Sequence, residues 1–137
     1  MWSNDPVGRS HGLGRLDSSQ AWSARINRKG EWWQIDVGSA KPIVGVRTQG
    51  RSGGTNNQRV TAYKVLTSLD GKAWVPVDGG KIFKGNIARS DTTVANKFSK
   101  SVMARYVRIV VESWTHHVSM RAALDVGKDC SSTAGIG

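Results

Sequence analysis

A single cysteine, Cys130, stands in the 137-residue chain, so no internal disulfide can form and stability has to come from packing. Cys130 falls in a polar tail, where it is expected to be unpaired or to serve as an intermolecular thiol. No apolar run approaches the length needed to cross a bilayer. The opening Met1-Trp2-Ser3-Asn4-Asp5 lacks the basic start and apolar stretch of a secretory signal. Acidic residues are scarce: 10 Asp and Glu against 20 Lys and Arg, a formal charge of +10. That balance favours anionic partners such as sulfated glycans, acidic lipid or nucleic acid. No basic run exceeds the two residues Arg28-Lys29, however, so the charge reads as a solvated basic surface rather than a polyanion groove. A Gly-rich phosphate loop, metal-ligand spacing and a nucleophile with an identifiable base are also missing, which leaves catalysis without residue-level support.

What the chain does contain fits one globular domain, with 38% hydrophobic and 22% charged residues. Short apolar runs alternate with Gly, Asn, Asp and Ser clusters, and no helical period is sustained, so the fold reads as all-β. Trp33, Ile35 and Val37 alternate with Gln34 and Asp36, as on a strand with one buried face. Pro42 marks a turn into another strand, and a bulge or two-sided burial is expected near Gly45. Tyr63, Val65 and Thr67 share a face before Asp70-Gly71, which suits a type I′ hairpin turn returning through Trp74 to Val77. Asp78-Gly79-Gly80 makes a further turn, and Lys81 to Phe83 leads into a loop-rich stretch that reaches Lys97. Arg105 to Val111 is the strongest strand, with Val107, Ile109 and Val111 inward, and Val118 to Leu124 closes the sheet. Regularly spaced strands and turns of this kind indicate a sandwich or jelly roll.

A series of short motifs appears in order: Gly14-Arg15-Leu16-Asp17-Ser18, Ala21-Trp22, Trp33 to Gly38 and Thr48-Gln49-Gly50-Arg51. Ser68 to Trp74, Phe83-Lys84-Gly85-Asn86, Ala104 to Ile109, Trp114 and Met120-Arg121 follow. Across residues 2 to 124 this series resembles the discoidin family, also called the coagulation factor V/VIII C-type domain, a galactose-binding-like group. The resemblance implies an eight-stranded jelly-roll β-sandwich whose loops at one end bind glycans, collagen or phospholipid outside cells, and it implies binding rather than enzyme activity. Three departures stand out. Relatives begin about a strand earlier, often with a cysteine, so the first strand of that fold can be lacking here. Ala123 replaces an acidic residue, and Cys130 lies later than the usual closing cysteine, so the family's terminal disulfide is absent. The expected organisation is a discoidin-type domain over 1–127 and a polar tail over 128–137. The tail resembles the start of another copy and would suit a tandem array. A missing first strand would open a sheet edge that another chain's tail could fill, giving an oligomer.

Asp17 and Arg51 are the leading ligand-binding residues. Each lies beside a turn-rich loop, and Asp acceptors with an Arg donor fork can hold adjacent hydroxyls or a carboxylate. The plainer alternative is a loop salt bridge, and the family resemblance, which implies ligand contacts at matching positions, favours function. Trp2, in a polar Ser-Asn-Asp-Pro setting, can stack on a sugar or enter lipid. Asn57 and Gln58 supply amides at the end of the polar loop that begins at Arg51. His117 matches a contact position of the family's receptor branch, whereas His116 and His117 on a strand would face opposite sides and not share a metal. Trp22, Trp32, Trp33, Trp74 and Trp114 read as packing, and Asp36 is the expected partner of a half-buried Arg121. No cofactor is assigned. A structural calcium occurs in some relatives near the first loops, but Asn4-Asp5 is too little to place one. The leading function is therefore a lectin-like adhesion module for galactose-type or related glycans and glycoproteins. Anionic membranes or an extracellular-matrix protein such as collagen are the alternatives, and nucleic acid ranks last because no basic and aromatic groove can be drawn.

Overall fold

The computed structural model describes residues 22–23, 27–50, 58–86 and 93–127. Seven strands are present among them: β1 (Trp22–Ser23), β2 (Trp32–Gln49), β3 (Arg59–Ser68), β4 (Val75–Pro76), β5 (Phe83–Lys84), β6 (Val94–Thr115) and β7 (Ser119–Val126). All pairings are antiparallel, and the only helical element described is a 3₁₀ turn over Val77–Gly79. No helix in the described residues is long and apolar enough to cross a membrane. The all-β expectation holds.

Two long strands build both layers. The first part of β2, Trp32 to Asp36, pairs with β6 from Tyr106 to Val110. The second part of β6 also pairs with β3, giving a front sheet of β2, β6 and β3, with β4 and β5 sharing the outer edge of β3. Beyond a corner, β2 from Lys41 to Thr48 pairs with β6 from Val94 to Ala104, while β7 covers its other side and β1 flanks β7. That is the back sheet. A strand that turns from one layer into the other needs an irregular register, and both strands have one: Val37 to Ala40 lie opposite Arg105 alone.

The corner is held by Asp36. Its carboxylate accepts from the Gly38 amide at 2.8 Å and from Arg105 Nε and Nη2 at 3.0 and 3.2 Å. Gly38 takes φ +88°, a left-handed geometry that glycine adopts without steric cost. The expected Asp36–Arg121 pairing is thus corrected, because the corner places Arg105 against the carboxylate. Pro42 is no turn either: β2 runs through it, and the change of direction comes earlier, at Val37 to Ala40.

Other local expectations divide similarly. The irregularity near Gly45 is present as a register shift between Ile43 and Gly45. A Cβ there would meet the Asn96 carbonyl oxygen at 2.6 Å, so the strands approach too closely for a side chain. The hairpin after β3 forms, but Asp70 is not at positive φ, so the turn is not type I′. Asp70 Oδ1 instead accepts from the Lys72 and Ala73 amides, and Ser68 Oγ from the Gly71 amide. The loop-rich stretch ends before Lys97, since β6 already starts at Val94.

Between the sheets lie Tyr63, Val65, Val107, Ile109 and Val111, all fully buried, with Ile43 and Val46 from the back sheet. Tyr63, Val65, Val107, Ile109 and Val111 are inward members of the alternation read from the sequence, whereas Ile43 and Val46 flank the irregularity at Gly45; burying such a side chain contributes about 1.5–3 kcal/mol. Phe83 stacks on Tyr63 and meets Phe98, each pair with ring centroids 5.8 Å apart.

Candidate ligand-binding site at the loop end

Register fixes which connections share an end of the sandwich. Gln49 lies opposite Arg121, Arg59 opposite Thr115, and Thr48 opposite Val94. The connections 50–58, 85–93 and 116–118 therefore leave from one end. The segment around Asn27 joins them, because Asn27 Oδ1 accepts from the Val118 amide at 2.9 Å.

Beneath these loops lies a belt of polar side chains with little access to water. Such groups are costly unless hydrogen-bonded, and each has a partner that ties down a loop foot. Arg121, 4% exposed, donates from Nε to the Gly50 carbonyl at 2.7 Å. Buried Asn86 donates from Nδ2 to the Thr48 carbonyl at 3.1 Å, linking the foot of 87–92 to the end of β2. Gln49 Nε2 donates to Thr93 Oγ1 at 2.9 Å, joining the same two segments from the other side. Buried Ser119 donates from Oγ to Gln58 Oε1 at 3.1 Å.

Of the residues expected to contact ligand, Gln58 and His117 are described, and the fold brings them to neighbouring loop feet. His117 lies in a turn rather than on a strand: β6 ends at Thr115, His116 takes φ +66°, and the His117 amide donates to the Thr115 carbonyl at 2.8 Å. Trp2, Asp17, Arg51 and Asn57 lie outside the described residues, as do Asn4, Asp5 and the tail from 128. The Gly50 carbonyl, one residue before Arg51, is nevertheless fixed by Arg121 at this end. Among the described residues no group of three or more His, Cys, Asp or Glu is assembled that could hold a metal ion.

Sequence reading missed the belt itself. Asn27, Gln49 and Asn86 stand beside turn signals, and their purpose shows only when strands distant in sequence meet. It also missed Arg108, whose guanidinium carbon lies 3.9 Å from the centre of the Trp32 ring and 4.0 Å from that of Trp74. The outward position of Arg108 was available from the alternation of Val107, Ile109 and Val111; the meeting of the two indoles was not.

Among the described residues, two acidic side chains near this end are paired. Glu112 receives Lys29 at 3.1 Å and Lys64 at 3.4 Å. Burial pushes the Glu112 carboxyl up, but the hydrogen bonds from the two lysines outweigh it and hold the group below its usual range. Arg28 bonds buried Glu31 at 3.1 Å.

The F5/8 type C domain model matches residues 2–124. Rat lactadherin (Rattus norvegicus) is 36% identical over 129 residues, 90% of this chain and 30% of lactadherin. Dog coagulation factor VIII (Canis lupus familiaris) is 34% identical over 123 residues, 88% of this chain and 5% of that protein. The chain thus spans under a third of the length of these curated relatives. Among solved structures, wild-type discoidin II from Dictyostelium discoideum superposes with a TM-score of 0.72 at 30% identity, covering 86% of this chain and 45% of that one.

Proposed function

The chain belongs to the F5/8 type C (discoidin) domain family, and on that premise we propose that it is an extracellular adhesion module recognising galactose-type or related glycans through the loop end. The observation that carries this reading is the polar belt. Arg121, Asn86, Gln49 and Ser119 spend buried hydrogen bonds on holding the feet of separate loops at one end of a rigid sandwich. Pre-organising loops lowers the ordering cost of binding. Asp17 and Arg51 are the proposed hydroxyl-binding pair, Asn57, Gln58 and His117 add hydrogen-bonding groups, and Trp2 stacks on the sugar face. No step of this reading requires catalysis, a cofactor or calcium.

One observation favours a second reading. The formal charge of +10 suits an anionic phospholipid surface, with Trp2 entering the interface. Recognition of a matrix protein such as collagen would use the same loops. A glycan array run beside liposomes with and without acidic lipid separates these. Galactose-dependent binding that is lost in Asp17→Ala supports the glycan reading; binding only to acidic liposomes, reduced by Trp2→Ala, supports the membrane one. Weak single-site binding is expected, with avidity supplied by tandem copies or oligomers.

A further inference from the structure

We propose that the outer face of the front sheet carries a second ligand site, distinct from the loop end, which binds the carboxylate of an acidic sugar through Arg108 between Trp32 and Trp74. The starting point is strand alternation. Val107, Ile109 and Val111 are buried between the sheets, so Arg108 faces outward, in register with Gln34 of β2 on one side and Leu66 of β3 on the other. The two indoles cover the guanidinium at 3.9 and 4.0 Å, and Arg108 Nε donates to Gln34 Oε1 at 3.0 Å. Orientation is therefore set by three side chains from different segments.

What the group lacks, among the described residues, is an anion. Asp36 is taken by Arg105, Glu112 by Lys29 and Lys64, Glu31 by Arg28 and Asp125 by Arg47. Asp70 caps its own turn, and Asp78 bonds Ser99. Among the described residues Arg108 makes no ion pair, although it is half-buried and withdrawal from water lowers its pKa from the ordinary arginine value. A partly desolvated cation held without a counter-charge is expensive by itself, and an incoming anion relieves that cost.

The chemistry of the edge selects the ligand. With both faces covered and Nε engaged, the remaining hydrogen-bonding surface is the Nη pair, and a planar carboxylate matches such a fork with two parallel bonds. Trp32, Trp74 and Arg108 all retain partial exposure, and the electron-rich face of an indole suits the C–H face of a pyranose ring. A uronic-acid residue presents both parts together.

The test is a two-dimensional NMR titration of the full chain with a glucuronic-acid oligosaccharide and with the same oligosaccharide after its carboxyl groups are reduced to alcohols. Shifts are expected at the Arg108 Nε–H and at the Trp32 and Trp74 indole signals. Affinity should fall about tenfold on carboxyl reduction, matching loss of a charge-assisted hydrogen bond. Arg108→Gln should show the same loss, whereas Asp17→Ala should keep these shifts even if it abolishes galactose binding. Equal affinity for the reduced sugar, shifts confined to the loop end, or no response at the three signals would each overturn the proposal. Because the wild-type titration alone decides among these, a poorly folded Arg108→Gln variant leaves the test intact.

Discussion

Arg121 Nε donates to the carbonyl of Gly50 across 71 residues of sequence at 2.7 Å, joining the start of β7 to the foot of the loop that carries Arg51. The contact is buried, so its removal takes a hydrogen bond from a carbonyl with little access to water. Arg121→Met should cost about 1–3 kcal/mol of stability, and calorimetric unfolding will read it. Ligand affinity should fall by more than the stability loss explains at temperatures where the variant remains folded, because Gly50 no longer orients the loop. An unchanged affinity would show that the loop is positioned by other means.

Gly85 tests the second loop foot. Its amide donates to the Thr61 carbonyl at 2.8 Å, and the next amide, of Asn86, to the Val60 carbonyl at 3.0 Å. A Cβ on Gly85 would collide with the Val60 carbonyl oxygen, a backbone atom that cannot rotate away. Gly85→Ala should therefore destabilise by about 2–3 kcal/mol. By contrast, Gly79→Ala meets no neighbouring atom within 4 Å, and its cost should be limited to the strain of a positive φ, about 1 kcal/mol. Denaturant unfolding of the two variants should separate them in that order.

Alkaline pH probes the core. Burial raises the Tyr63 phenol from 10.0 to about 12, an effect larger than the opposing hydrogen bond from Asn96 Nδ2 at 3.0 Å. The folded state therefore holds this proton more tightly than the unfolded chain. The contribution is fully present below pH 10 and is lost as pH rises through about 12, amounting to roughly 2–3 kcal/mol. Stability measured from pH 9 to 12 should fall in wild type more steeply than in Tyr63→Phe. Identical slopes would mean that Tyr63 ionises without unfolding.

The proposed glycan reading assigns no metal to the fold. Melting temperature should be the same with and without a strong calcium chelator, and a fall of several degrees on chelation would place an ion in the loops after all.

The inward faces of the strands were legible in the sequence because alternation is a local property. Tyr63, Val65, Val107, Ile109 and Val111 follow from period two alone, and all are fully buried. Corners were less legible. Pro42 is a strong local turn signal, yet the chain bends at Val37 to Ala40, where Arg105 reaches Asp36 from 69 residues away. A long-range ion pair leaves no periodic trace. The turn at Asp70-Gly71 misled for a related reason: the dipeptide fits type I′, but Ser68 and Asp70 side chains supply competing acceptors for the turn amides. At the loop end, turn residues announced the loops, while the belt that anchors them depends on β2, β5 and β7 coming together. His117 shows both sides: its place near the ligand end was suggested by family resemblance, and its turn conformation emerges only with the end of β6.

On the proposed function, ligand binding resides in the loop end of the sandwich, with Asp17 and Arg51 as its hydroxyl-binding pair. Titration calorimetry of wild type, Asp17→Ala and Arg51→Ala with a galactose-terminated oligosaccharide tests it most directly. Wild type should bind weakly and saturably, and each variant should lose about tenfold or more, the size expected when a hydrogen bond to a charged group is removed. Wild-type affinity retained in both variants, with all three proteins folded, would contradict that reading.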